Sequence, residues 1–490
     1  MNFPSASDEP SQSETTKAAT PYLAIYVLLA AAFIAILNET VMSVAIPVIK
    51  DDVGITATTA QWVTTAFLLT MAVVIPITGF IIGRFPLKTV FALSQGLFAA
   101  GTAIGVFAPS FGVVLVARIT QAAGTAILLP LLMTTVLMLI PVHKRGAMMG
   151  NMSIVIAVAP AIGPTVSGFI LKLSNNNWHA LFESMLPLGL IVLVVGYFLL
   201  PRDDAPSAKP IDLLSVALSA VGFGLSVYAL SLIGTDSGTT VWIVAAIGVL
   251  GLVAFVIRQR KLAVTDSALL DLRVFKTPSF TLSTILLALG MIAMFGVIIV
   301  LPLYMALKGV EVLTIGLILM PGPLVMGLMG PFVGRAFDRV GPRPLVIPGA
   351  VMLTLGIFGL GFIGMDTPLW WIISCHVVLE IGLGLLFTPL FTWGLGALPQ
   401  KLYADGSAIT NTIQQVCGAA GTALFLAVAT IATGMLSDSS ASVVPAPDVI
   451  AGYRVAMYGG AVLGVLIIFL AAMVKPHPKT DADVVAEVAG

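Results

Sequence analysis

The sequence predicts an all-α polytopic membrane protein, and its composition is the first observation behind that prediction. Of the 490 residues, 9% are charged and 58% are hydrophobic, and the mean hydropathy is +1.07. A soluble domain carries about 25% charged residues, and a water-soluble protein of this length cannot enclose so much apolar surface. The solvent that remains for that surface is a lipid bilayer.

The second observation is a series of apolar segments that starts at Pro21. Each segment has about the 20 residues that a helix needs to cross about 30 Å of hydrocarbon. Because lipid offers the backbone no hydrogen-bond partners, each segment is predicted to be a helix. The fourteen predicted spans are, in order, residues 22–46, 59–82, 90–108, 112–140, 147–171, 181–200, 212–233, 241–257, 280–305, 312–333, 345–363, 369–396, 407–435 and 452–474.

The third observation is a repeated loop. A glycine and two cations recur 255 residues apart, as Gly79/Gly334, Arg84/Arg339 and Lys88/Arg343. The repeat predicts two related six-helix bundles separated by an inserted helix pair, and two related halves that meet at a midplane site suit alternating access. The predicted domains are a disordered tail at 1–20, the N-terminal bundle at 21–200, the inserted pair at 201–262, the C-terminal bundle at 263–474 and a second tail at 475–490.

The distribution of Lys and Arg sets the predicted orientation. Loops on the side of the N-terminus hold 18 of these residues, and Arg118 lies inside a span. The opposite loops hold four, namely Lys50, Lys172, Lys308 and Arg454. Because cytoplasmic loops carry the excess of cations, both termini and both tails are predicted to be cytoplasmic.

Composition and motifs exclude several classes of protein. The net charge is zero and the basic residues form no stripe, so no nucleic-acid partner is expected. The only cysteines, Cys375 and Cys417, lie in apolar stretches and predict neither a disulfide scaffold nor a zinc site. No Gly-x-x-x-x-Gly-Lys-Ser/Thr loop is present, so no nucleotide is expected and energy must come from an ion gradient. We expect no cofactor, no metal and no enzymatic activity.

The second copy of the repeated loop carries a recognisable motif. The stretch Gly334-Arg-Ala-Phe-Asp338-Arg339-Val-Gly341-Pro-Arg343 resembles the loop motif Gly-x-x-x-Asp-Arg-x-Gly-x-Arg of the major facilitator superfamily. Glycine at the first position lets two helices approach closely, and the aspartate with its arginines can form a charge-assisted latch to a neighbouring helix end. The alternative is that the cations merely follow the positive-inside rule. The first copy, around Arg84, lacks the aspartate.

The fifth span resembles the antiporter motif Gly-Pro-x-x-Gly-Gly of the same superfamily. The motif is met at Gly163, Pro164 and Gly168, with Ser167 in place of one glycine. With Ala159, the small residues at i, i+4 and i+8 form one face for close helix packing. Prolines bend this helix, so the span is predicted to serve as a seal between the halves. The alternative is an ordinary small-residue packing seam.

The first span carries the acid of interest. Leu37-Asn38-Glu39-Thr40-Val41 resembles the signature Leu-Asp-x-Thr-Val of the fourteen-helix drug:proton antiporters, the EmrB/QacA group, with Asn38 in the aspartate position. A carboxyl inside a span is costly when charged, so protonation of Glu39 is predicted to act as a switch. Arg118, in a stretch that resembles the group's Arg-x-x-Gln-Gly, is the predicted modulator. The alternative for Glu39 is a water-solvated residue at a polar helix end.

The twelfth span adds a second polar pair. His376 and Glu380 are four residues apart and lie on one helix face, where they could relay protons or contact substrate. A local hydrogen-bonded pair without a role is the alternative, and two ligands do not support a metal site.

These resemblances imply the major facilitator fold and proton-coupled efflux of lipophilic or amphipathic compounds by alternating access. The expected partners are small substrates, protons and membrane lipid, and the expected location is the plasma membrane of a bacterium. Oligomeric state is open, with a monomer as the simplest expectation. The alternatives are a dedicated exporter of one endogenous metabolite or lipid, an uptake symporter and a non-transporting membrane receptor.

Overall fold

The computed structural model describes residues 12–201, 212–232, 238–436 and 445–475. Within them fourteen helices are long and apolar enough to cross a membrane, as the sequence predicts. They are α1 Gln12–Val44, α2 Trp62–Arg84, α3 Leu87–Val106, α4 Phe111–Leu139, α5 Arg145–Leu173, α6 His179–Leu199, α7 Leu213–Leu232, α8 Thr239–Leu262, α9 Pro278–Leu307, α10 Pro321–Val340 with its preceding turns Val312–Leu319, α11 Arg343–Leu360, α12 Leu369–Gly396, α13 Tyr403–Leu436 and α14 Ala446–Ala472. Because the number is even, the start of α1 and the end of α14 lie on the same side of the bundle.

The start of α1 differs from the expectation. The helix begins at Gln12, so it includes residues 12–20 of the segment predicted to be a disordered tail. An established helix gains one hydrogen bond for each residue that extends it, and this stretch contains no glycine to end it. Residues 1–11 of that tail, and residues 476–490 of the C-terminal one, lie outside the described residues.

Small residues set the spacing between neighbouring helices in both bundles. A Cβ placed at Gly101 of α3 would meet the backbone nitrogen of Gln121 in α4 at 2.5 Å. Gly356 of α11, 255 residues later, would meet the backbone nitrogen of Leu379 in α12 at 2.7 Å. Such contacts let membrane helices pack closely without large side chains, and the repeat seen in the loops therefore extends into the helices.

The inserted pair, α7 and α8, forms a hairpin against the outside of the bundle. Gly222 and Gly248 let the two helices pack backbone to backbone. At one end Arg258 donates to both carboxylate oxygens of Asp212, at 2.6 and 2.8 Å. These hydrogen bonds hold the pKa of the Asp212 carboxyl well below its usual range. Helix α7 packs against α2 and α13, so the insert contacts one helix from each half.

Candidate functional site

A central cavity of about 400 Å³ lies between the two halves. Its walls come from α1, α2, α4 and α5 of the first half and from α9, α10, α12 and α13 of the second. Most of the lining is apolar, and methionines are prominent at residues 71, 291, 294 and 326. Unbranched, polarisable methionine side chains adapt to ligands of different shape. The cavity can therefore hold apolar molecules without a fixed outline.

Two carboxyl groups face this cavity, one from each half. Glu39 of α1 and Glu380 of α12 both line it. Glu39 is half-buried, and within the described residues it makes no direct hydrogen bond or ion pair. The neighbouring Asn38 is fully buried, and neither of its amide atoms has a hydrogen-bond partner there. Adjacent helix positions are about 100° apart, and of the two it is Glu39 that reaches the cavity.

Arg118 lies deep in the first half and is fully buried. Its Nε donates to the carbonyl of Val63 at 3.2 Å, and Nη1 donates to Oε1 of Gln121 at 3.0 Å. The guanidinium also lies 4.2 Å from the centre of the Phe67 ring. Its Nη2 has no hydrogen-bond partner among the residues that the structure describes. Within the described residues the hydrogen bonds of Arg118 thus go to Val63 and Gln121, and it forms no direct ion pair with Glu39.

His376 and Glu380 form a buried pair on α12. Nε2 of His376 lies 3.6 Å from Oε1 of Glu380, and the residues are 3% and 2% exposed. Gly322 of α10 packs directly on both, since a Cβ there would lie 2.7 Å from Nδ1 of the histidine. That Nδ1 atom has no hydrogen-bond partner among the described residues. No group of three or more metal-ligating side chains occurs within the described ranges.

Asp338 lies where the loop motif meets the other half. Its Oδ1 accepts from the backbone nitrogen of Gly146 and its Oδ2 from that of Ala147, both at 2.8 Å. These two nitrogens belong to the first turn of α5, whose partial positive charge favours a carboxylate. The aspartate thus joins the second half to a helix end of the first. We call the end of the bundle that holds this contact the motif end.

Among the other residues of the loop motif, one glycine ends the helix and two arginines are exposed to solvent. Gly341 ends α10 with φ at 76°, a backbone conformation that glycine adopts without strain. Arg339 and Arg343 are exposed. In the first copy Arg84 is half-buried between the rings of Phe80 and Phe85, at 5.6 and 5.8 Å.

A second contact at the motif end was not foreseen from the sequence. Nη1 of Arg145 donates to the hydroxyl of Tyr403 at 3.2 Å, across 258 residues of chain. The other guanidinium nitrogens donate to the carbonyls of Ile140 and Leu137 at the end of α4. Arg145 therefore ties α4 and α5 of one half to α13 of the other.

From the motif end towards the cavity, α5 and α10 pack backbone to backbone. A Cβ at Gly150 would collide with the carbonyl oxygen of Gly330, and one at Gly334 with that of Gly146. Nearer the cavity, Ser153 hydrogen-bonds Thr388 at 2.8 Å. The sequence did contain the signal, because 146/150 and 330/334 are two Gly-x-x-x-Gly pairs of the kind that bring membrane helices together.

The antiporter motif lies beside Glu39. Gly163 packs on Thr40, since a Cβ there would collide with the threonine hydroxyl, and Ser167 is fully buried. Pro164 and Gly168 are exposed. The small face predicted for a seal between the halves is thus directed in this structure at α1 of the same half. The opposite turns of α5, at the motif end, make the contact between the halves.

The hydrogen bonds between the halves show which end of the cavity is closed. Hydrogen bonds between the halves lie at the cavity and between it and the motif end. The bundle is therefore closed at the motif end. At the opposite end, Gly168 of α5 and Gly316 of α10 are exposed, and an added Cβ at either would meet nothing within 4 Å. Fourteen membrane helices in two halves around a midplane cavity, closed at one end, define a multi-pass membrane transporter.

Comparison with known proteins identifies the family. The model of the Major Facilitator Superfamily matches residues 28–422. The lincomycin resistance protein LmrB of Listeria innocua is 39% identical over 411 residues, 83% of this chain and 86% of that protein. The multidrug export protein EmrB of Haemophilus influenzae is 27% identical over 411 residues, 80% of this chain and 78% of that protein. The solved structure of the proton:xylose symporter XylE matches with a TM-score of 0.63 at 15% identity, covering 96% of this chain and 99% of that one.

The chain belongs to the major facilitator superfamily. The resemblance to the EmrB/QacA group and the predicted fold are confirmed. The relatives and the fourteen apolar helices place the chain among multi-pass proteins of the bacterial plasma membrane.

Proposed function

We propose that this protein expels lipophilic or amphipathic compounds from bacteria in exchange for protons. The observation that carries the proposal is one mainly apolar cavity faced by two carboxyl groups, Glu39 and Glu380, from opposite halves. The names of the relatives, lincomycin resistance and multidrug export, support efflux of drugs. Apolar walls suit lipophilic cargo, and a carboxylate suits a positive charge on it.

In this mechanism Glu39 carries the exchanged proton. When the Glu39 carboxyl is charged, it attracts a cationic cargo or is stabilised by the positive charge of Arg118. When it is neutral, the apolar cavity can close around it at lower cost, because an unpaired charge in hydrocarbon costs a few kcal/mol or more. Cargo and proton therefore compete for one site. Cargo binding drives the change to the outward-open form, and proton binding drives the return to the inward-open form. One proton that enters contributes about 2.3 kcal/mol per 100 mV of membrane potential.

The contacts at the motif end supply the gate. We assign the motif end to the cytoplasmic side, in line with the excess of Lys and Arg in its loops. For cargo to enter from the cytoplasm, the bonds of Asp338 to α5 and of Arg145 to Tyr403 must break. They reform when the cavity opens to the other side. His376 and Glu380 provide a second polar site within the same cavity.

Proton release upon cargo binding tests the proposal. Purified protein in weakly buffered detergent solution is mixed with ethidium or with lincomycin, and released protons are followed with a pH indicator. We expect release from the wild type and from Glu183→Gln, an exposed carboxyl of α6 outside the cavity. Glu39→Gln should abolish it, and Glu380→Gln should weaken cargo binding. Release that persists in Glu39→Gln would move the coupling site elsewhere.

A dedicated exporter of one endogenous compound would use the same scaffold, because the choice of cargo depends on cavity shape. A resistance profile separates the two functions. Cells that express the protein should survive higher concentrations of several unrelated lipophilic drugs, whereas a dedicated exporter would protect against none or one.

A further inference from the structure

The seam between α5 and α10 is closed over only half of its length. At the motif end, small residues of one helix face small residues of the other, namely Gly146, Gly150 and Ala157 on α5 and Gly327, Gly330 and Gly334 on α10. Among the glycines of α10, Gly327 is the one nearest the opposite end at which an added Cβ would meet α5, at 2.7 Å from Cγ2 of Val158.

Beyond that point the same faces continue without partners. Pro164 and Gly168 follow Ala157 by 7 and 11 residues, and such spacings keep them on the face of α5 that meets α10. On the other helix Gly316 precedes Gly327 by 11 residues. Gly168 and Gly316 are both exposed, and an added Cβ at either would meet nothing within 4 Å. The two helices have therefore parted towards the opposite end.

Both walls of this opening carry prolines at the level of the cavity. Helix α5 carries Pro160 and Pro164, and α10 carries Pro321 and Pro323 just after its break at Met320. Proline removes a backbone donor and kinks a helix. Pro160 and Pro323 also line the cavity. These proline-containing segments therefore lie between the cavity and the parted part of the seam.

The equivalent seam on the other side of the bundle, between α2 and α13, is covered. Helix α7 of the inserted pair packs on both of these helices. A Cβ added at Gly224 of α7 would lie 3.2 Å from Cγ2 of Val73, and the ring centres of Tyr228 and Trp62 are 5.8 Å apart. No residue in 69–82 of α2 or in 402–423 of α13 is exposed. The insert thus makes the two seams unequal.

We propose that lipophilic cargo leaves the cavity sideways, through the gap between α5 and α10, into the lipid leaflet at the opposite end. The inserted pair closes the other seam, so lipid reaches the cavity from one side only. The rim of the gap carries the apolar side chains of Phe169 and Leu317, which are 63% and 53% exposed. Cargo that partitions into lipid would use this gap, and polar cargo would leave through the aqueous mouth. The proposal rests on the proposed export function.

Filling the gap tests the route. Gly168→Trp and Gly316→Trp place a large ring where the structure has open space, and Gly459→Trp, on the exposed face of α14, is the matched control. Efflux of the lipophilic dye Hoechst 33342 should slow by about tenfold, equivalent to about 1.4 kcal/mol of added barrier. Lincomycin efflux should fall by clearly less than dye efflux, because the added ring hinders closure of this end for both cargoes but blocks the lateral route only for the dye. Equal loss of both cargoes, or no loss of dye efflux, would overturn the lateral route.

A second measurement does not depend on transport. The photoreactive residue benzoylphenylalanine is placed in full-length protein at Ile156 of α5 or at Ile75 of α2, two isoleucines that both line the cavity. In vesicles of phosphatidylethanolamine and phosphatidylglycerol, we expect phospholipid adducts at position 156 and few at position 75. Equal yields, or none at position 156, would overturn the inference. If lipid adducts form as expected but the wild type moves no cargo, the export function fails and the open gap stands.

Discussion

The Asp338 carboxylate and the backbone nitrogen of Gly146, 192 residues apart in the chain, are joined at 2.8 Å across the two halves. The same carboxylate binds the next nitrogen of α5, so one side chain caps a helix end that belongs to the other bundle. A capping carboxylate is favourable at a helix N-terminus because it meets unpaired donors and the positive end of the helix dipole. In the proposed mechanism this contact is made only while the motif end is closed.

Removing this cap should shift the protein towards opening at the motif end. Asp338→Ala loses about 1 to 2 kcal/mol of stabilisation in the closed form only, so the open population should rise by about five- to thirtyfold. The open population would be measured from the distance between spin labels at Lys144 and Lys401, two exposed residues of the motif end, by electron spin resonance. The labels are attached in a variant that lacks Cys375 and Cys417. Arg335→Ala, an exposed position of the same helix, is the control. Identical distance distributions in both variants would refute the gating role.

The backbone contact of α5 with α10 makes a second prediction. Gly150→Ala places a methyl group against the carbonyl of Gly330, so the motif end cannot close fully and efflux should fall about tenfold or more. Gly83→Ala is the control, because its added methyl meets nothing within 4 Å. Alanine favours a helix over glycine by about 1 kcal/mol. A loss of efflux in Gly150→Ala but not in Gly83→Ala would therefore be due to the collision with Gly330. Equal efflux in the two variants would show that the collision does not matter.

The positions of Asn38 and Glu39 predict that a carboxyl at position 38 cannot replace the one at position 39 in proton coupling. Asn38 is fully buried, and its amide has no hydrogen-bond partner within the described part of the chain. An aspartate at this position would have to remain neutral, because its charge would cost several kcal/mol there. We expect the double variant Asn38→Asp with Glu39→Gln to be as inactive in proton-coupled efflux as Glu39→Gln alone. Recovery of efflux in the double variant would show that position 38 can couple protons.

The hairpin of the inserted pair should respond to acid through Asp212. Because Arg258 keeps the folded pKa of this carboxyl below its unfolded value, the ion pair stabilises the fold above about pH 4. That contribution is lost as the pH falls through the lower folded pKa. Asp212→Asn should lower Tm by a constant amount between about pH 5 and 8, and the difference should vanish in stronger acid. Asp366→Asn, at an exposed position, should change Tm little, and a pH-independent difference for Asp212→Asn would contradict the account.

The sequence was sufficient for the helices but not for their partners. Apolar length alone identifies every span, and the 255-residue repeat at Arg84 and Arg339 reveals the two halves. The helix end that Asp338 caps could not be found from the sequence, because its donors are backbone nitrogens far along the chain. The partners of Arg145 could not be found either, because the sequence indicated only that it is one of the cations in a loop. Which of Asn38 and Glu39 faces the cavity depends on the rotation of α1, which packing decides.

The most direct test of proton exchange uses purified protein in vesicles, with the potential clamped by potassium and valinomycin. A pH difference is imposed across the membrane, and accumulation of ethidium against its own gradient is followed by fluorescence. We predict accumulation that scales with the pH difference in the wild type and is absent in Glu39→Gln. Uphill accumulation at zero pH difference, or undiminished accumulation in Glu39→Gln, would contradict the account.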